Sequence, residues 1–147
     1  MLDFIYAFFA TIGFAVLFNI PRKQILYAGY AGGLGWLMHQ LLQSVGVSIF
    51  FSSFIGALVV GILAETFAKT RKMPATVFVV PGIIPLVPGY GLYFAMLSII
   101  ENNYDEALRV GFETLMVAVV IASAIIISTT FGKLLKPKTY LFKRMNK

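Results

Sequence analysis

The chain has 147 residues, 59% of them hydrophobic and 12% charged, with a mean hydropathy of +0.87, a balance that excludes a soluble globular domain and implies an integral membrane protein. It has no Cys, which removes disulfides, thiol catalysis and thiolate metal sites. The net charge of +6 falls in short clusters between apolar runs, as membrane topology signals do, so nucleic acid is not expected as a partner.

A membrane-crossing helix needs about 20 mostly apolar residues. Residues 2–18, 25–45, 49–68 and 110–131 meet that need, and 74–100 adds an interrupted stretch. The expected fold is therefore all-α: one membrane domain over 1–147, with five transmembrane helices, the fourth broken, and a basic tail at 132–147. The start, Met1-Leu2-Asp3-Phe4, has no basic region and no small-residue cleavage site follows it, so the first run reads as a retained span. Gly29, Gly32, Gly33 and Gly35 in the second span, with Gly56 and Gly61 in the third, offer small surfaces where helices approach closely. Asp105 is placed to cap the last helix and Pro137 to end it. Beyond it, Tyr140, Leu141 and Phe142 lie between Lys138 and Lys143-Arg144, as an interfacial anchor on anionic lipid would.

Charge orients the chain. The junctions hold Arg22 and Lys23, then none, then Lys69, Arg71 and Lys72, then mostly acid (Glu101, Asp105, Glu106) with Arg109, and the tail is basic again. Five crossings place every basic residue except Arg109 on one side, which sets the N-terminus outside and the C-terminus in the cytoplasm. A re-entrant hairpin at 74–100 would instead carry the basic tail outside.

The fourth stretch is the most informative. Between Pro81 and Gly91 it carries Pro81, Pro85 and Pro88 with Gly82, Gly89 and Gly91, which an unbroken helix tolerates badly. A break at membrane depth must be buried in protein or line a watery cavity. Two half-helix ends then meet: carbonyls around Val79 and Val80, and free N–H groups at residues 89–92, which favour an anion such as a carboxylate. Gly89 and Gly91 would let a ligand reach the backbone, and Tyr90 and Tyr93 offer hydroxyls beside it. The break is expected near mid-bilayer, displaced toward the cytoplasm. A proline kink absorbed by neighbouring helices is the plainer alternative.

Val80-Pro81-Gly82-Ile83-Ile84-Pro85-Leu86-Val87-Pro88-Gly89, followed by Leu92-Tyr93-Phe94-Ala95-Met96, closely resembles the signature of the threonine/serine exporter family, in its half with a small all-membrane domain. Gly13-Phe14-Ala15-Val16-Leu17-Phe18-Asn19-Ile20-Pro21 resembles that family's first-span exit. The resemblance implies the small subunit of a two-component exporter in the cell inner membrane. Its partner would be a larger subunit with a second five-span half. The implied cargo is a small carboxylate, threonine, serine or a succinate-like dicarboxylate, and no cofactor or metal is implied. Self-association of the chain stays open. The substrate-binding candidates are Pro81, Gly82, Pro85, Pro88, Gly89, Tyr90, Gly91 and Tyr93.

Four polar residues are candidates for proton coupling or a polar cavity. His39 could carry a proton, with Gln43 on the same helical face, although hydrogen bonding across a helix interface is its more ordinary use. Glu65 is placed to pair with Lys69 four residues on, with a coupling carboxylate as the alternative. Asn19 reads as a helix terminator, and the resemblance implies a cavity role as the alternative. Glu113 reads as interfacial. Transport leads over a membrane scaffold or stabilising subunit, and a passive pore lacks a charged ring. An enzyme would rest on Ser44 or Ser52 with His39 unaided, so no catalytic residue is assigned.

Overall fold

The computed structural model describes residues 2–134, and every element in them is helical. In order these are α1 (Leu2–Leu17), α2 (Arg22–Ser44), α3 (Ile49–Arg71), α4 (Thr76–Gly82), a 3-10 turn (Ile84–Leu86), α5 (Gly89–Ile100) and α6 (Tyr104–Leu134). The stop at Pro137, the anchor at Tyr140, Leu141 and Phe142, and the tail's basic residues from Lys136 on lie outside the described residues.

By length and apolarity, α3 and α6 can each cross a membrane. Residues Thr76–Leu86 and Gly89–Ile100 qualify together, as a pair bent by 53°. The apolar α1 has 16 residues, about 24 Å of helix, which is shorter than a bilayer core of about 30 Å. With 23 residues α2 is long enough, but its glycines, glutamines and His39 make it less apolar.

Left-handed residues close four helices. Asn19, Lys72 and Asn102 have φ of 54°, 53° and 60°, and Gly46 has 84°. After α1, the Ile20 N–H reaches back to the Ala15 carbonyl and the Asn19 N–H to that of Val16, both at 3.0 Å, which satisfies carbonyls the helix end leaves free. Asn19 is thus an exposed helix terminator, as one of its two readings has it. At α6 the Glu106 N–H donates to Asn103 Oδ1 at 3.4 Å. Asn103, and not Asp105, caps that helix, because it begins at Tyr104 and Asp105 already lies in its first turn.

Side-chain contacts fix the helix directions. Gly29 lies against Phe8 and Gly33 against Phe4, so α1 and α2 run antiparallel. A Cβ at Gly35 would sit 2.9 Å from the Gly56 carbonyl oxygen and would meet Val60, while Gln43 further along α2 reaches back to Ser52, so α2 and α3 are also antiparallel. Gly61 meets Ser128 and Gly132 meets Glu65, which makes α6 parallel to α3. Finally Gly91 meets Thr114 and Gly111 faces Ala95, so α5 and α6 form an antiparallel hairpin. Arg22, Lys23, Lys69, Arg71 and Lys72 consequently share one end of the bundle, where Arg71 Nε donates to Gln24 Oε1 at 3.2 Å and its guanidinium covers the Tyr27 ring. Glu101, Asp105 and Glu106 share the opposite end.

The centre of the bundle is built from small residues. One buried cluster joins Ala15, Ala28, Ala64 and Ala68 to Phe78 and Val79, and a second joins Ala57, Val60, Leu86, Val117, Ile121 and Ala124. Small side chains let the helices approach closely where lipid supplies no hydrophobic drive. In contrast α5 packs on α6 and on no other helix to a similar extent.

Candidate functional site

The interruption begins later than the proline pattern suggests. Pro81 stays inside α4, fully buried, and Gly82 completes that helix against Val60 and Gly32. One proline near the end of a short helix removes a single donor, and the Val79 carbonyl is still used, by the Ile83 N–H at 3.0 Å. The turn comes at Val87-Pro88. Val87 is extended at φ −60°, ψ 127°, as the residue before a proline tends to be. Pro88, at φ −77°, ψ 60°, forms an inverse γ-turn, closed by the Gly89 N–H donating to the Val87 carbonyl at 2.7 Å.

Beyond that turn α5 starts. The Leu92 N–H already bonds the Pro88 carbonyl at 3.2 Å, whereas no acceptor among the described residues is found for the N–H groups of Tyr90 and Gly91. Both residues line a cavity of about 430 Å³. Its walls come from four elements: Trp36 and His39 of α2, Ile49 and Ser53 of α3, the run from Pro85 to Gly91, and Val110, Glu113, Thr114 and Val117 of α6. It lies in the half of the bundle that holds the α2–α3 and α5–α6 connections. Below it the second apolar cluster, with Val60, Leu86, Val117 and Ile121, fills the middle.

Of the eight substrate-binding candidates, Pro85, Pro88, Gly89, Tyr90 and Gly91 line this cavity. Pro81 and Gly82 do not, because α4 carries them into the packed centre. Tyr93 does not either; it is 62% exposed on the outer side of α5, edge-on to Phe94. The two glycines differ as well. A Cβ at Gly89 would meet nothing within 4 Å, but one at Gly91 would collide with Thr114, so Gly91 is shaped by helix packing rather than by open space.

His39 belongs to the cavity wall. It is buried, its Nδ1 lies 3.5 Å from Ser53 Oγ across the α2–α3 interface, and its ring tilts over Trp36. Gln43 lies one turn further on, and its Nε2 donates to Ser52 Oγ at 3.5 Å, outside the cavity lining. Asn19 is remote from it. Glu113 and Thr114 were not singled out as cavity residues from sequence, yet both line it. Their signal was the α5–α6 antiparallel pairing, which a small-residue match between Gly91 and Thr114 would have exposed.

Glu65 lies at the opposite end. It makes no ion pair with Lys69, and Arg109 with Glu106 is the ion pair found among the described residues. The expected pairing fails because the Glu65 side chain turns onto α6, where its carboxyl packs against Gly132.

Against known proteins, a family model described as "Threonine/Serine exporter, ThrE" matches residues 3–131. No solved structure matches the chain.

Proposed function

The chain belongs to the threonine/serine exporter family, and from that premise we propose that it is the membrane subunit of a two-component exporter of small carboxylate metabolites, working by alternating access with a larger partner half. In this reading the polypeptide crosses the cytoplasmic membrane five times, N-terminus outside, with α4 and α5 as one interrupted crossing. The helix directions support it: α4 leaves the basic end, and α5 returns to the end where the parallel α3 and α6 both begin.

The observation that carries the site is that Tyr90 and Gly91, whose amides find no acceptor among the described residues, line a cavity within the bundle. Two N–H groups at the start of a helix suit a carboxylate, and a low-dielectric surround strengthens such bonds. Gly89 leaves the approach open, and His39 with Ser53 supplies polar contacts on the facing wall. The apolar layer of Val60, Leu86, Val117 and Ile121 separates this cavity from the basic end. Movement of α5 about Val87-Pro88 would open that layer, because among the described residues α5 packs extensively on no helix but α6.

The test is export of threonine, serine and succinate from cells carrying this chain, the partner half, or both. Export well above background is expected only with both. Equal export with the partner alone would remove this chain from the transport unit and leave it a stabilising subunit.

A further inference from the structure

Glu65 is the buried ionisable side chain that the cavity described above does not use. It is 7% exposed, and it has no hydrogen-bond or ion-pair partner among the described residues. None of its oxygens is sealed away, for no buried polar side-chain atom lacks a partner there. It faces two adjoining cavities at the basic end of the bundle, of about 390 and 310 Å³, and Lys69 lines both of them. Thr76 and Thr129 line the larger one.

A largely buried carboxyl group whose oxygens open onto a cavity, with no partner among the described residues, offers a cationic occupant a place to bind. Lys69, one turn along the same helix, could have closed onto it but stands more than the 4 Å of an ion pair away. Opposite charges one turn apart on one helix, unpaired with each other and both lining the cavity, with hydroxyls beside them, match a small molecule that itself carries an ammonium and a carboxylate. We propose that this cavity binds a zwitterionic amino acid, with Glu65 taking the ammonium and Lys69 the carboxylate. As a loading site on the path out of the cell it rests on the exporter reading; the binding itself does not. A dicarboxylate offers Glu65 no cation and meets its negative charge, so the site discriminates by repulsion as well as attraction.

The absence of Cys makes the test direct. The full chain carrying Thr76→Cys is purified in detergent, alone and with its partner half, and labelled with a small hydrophilic maleimide. L-Serine should slow labelling, whereas 3-hydroxypropionate, which lacks only the ammonium, and succinate should not. Adding Glu65→Gln should raise the serine concentration needed for protection at least about tenfold, as loss of a charged hydrogen bond does. Lys69→Gln, at an exposed position, should do likewise and keeps the test usable if Glu65→Gln fails to fold. Equal protection by serine and 3-hydroxypropionate, or no serine protection in either preparation, overturns the site. So does protection unchanged in the folded variants. Serine protection in a chain that supports no export would count against the transport reading alone.

Discussion

Gly89→Ala separates recognition from stability at the turn. A methyl at Gly89 meets no atom within 4 Å, and the backbone there is not left-handed, so alanine fits without strain. As a helical residue, alanine should leave stability unchanged or raise it by up to about 1 kcal/mol. The same methyl stands beside the unbonded N–H groups of Tyr90 and Gly91. If the cargo carboxylate is held there, displacing one charge-assisted hydrogen bond costs about 1.5–3 kcal/mol, or roughly ten- to hundredfold in apparent affinity. The assay is the initial rate of labelled threonine efflux against internal concentration, in cells that also carry the partner half, with the melting temperature of the purified chain alongside. A lower apparent affinity at unchanged melting temperature is expected. Efflux indistinguishable from the native chain, at normal expression, would refute carboxylate capture at the start of α5.

Three other tests follow from the same geometry. Gly91→Ala collides with Thr114 and should destabilise the α5–α6 hairpin by about 1–3 kcal/mol, with Thr114→Ala in the same chain restoring much of the loss in a thermal melt. Asn19→Gly should preserve folding and export because position 19 is a left-handed cap, whereas Asn19→Val should lower the melting temperature; loss of export in a folded Asn19→Gly chain would return Asn19 to a cavity role. His39→Gln keeps a hydrogen bond to Ser53 within reach and should retain the native chain's efflux at every pH tested; loss of a pH dependence that the native chain shows would make His39 the proton carrier.

The helices and their ends were legible in the sequence where a strong local cause acts. Apolar length marked the long helices, and the glycines of α2 and α3 marked the close contact of Gly35 with Gly56. The break was legible too, but its position was not. Three prolines look alike in sequence, yet only Val87-Pro88 turns the chain, since burial of Pro81 and Gly82 against Val60 and Gly32 holds α4 in helix through the first proline-glycine pair. Helical spacing likewise predicted Glu65 with Lys69, but spacing cannot register the notch at Gly132 into which the Glu65 side chain turns. Pro81, Gly82 and Glu65 are misread because the neighbours that decide their places lie on another helix.

That dependence on partners across the bundle bears on how the molecule could move. Helices α1 to α4 lock together through glycine and alanine contacts, in which a single added methyl already meets another backbone. Such interfaces are stiff, since they leave no slack to deform. Of the last two helices, α6 is locked onto α3 in the same way, Gly61 against Ser128 and Gly132 against Glu65, whereas α5 reaches the rest of the bundle chiefly through α6 and the turn at Val87-Pro88. Leu86 stands at that turn, in the wall of the upper cavity and in the apolar layer beneath it. A small rotation at the turn therefore changes cavity shape and layer closure in one motion, whereas bending within α2 or α3 would have to break their packed contacts first. In the proposed transport cycle the proline-glycine run would supply both the amides that meet the cargo and the hinge, with the stiffness of the remaining helices directing motion to it.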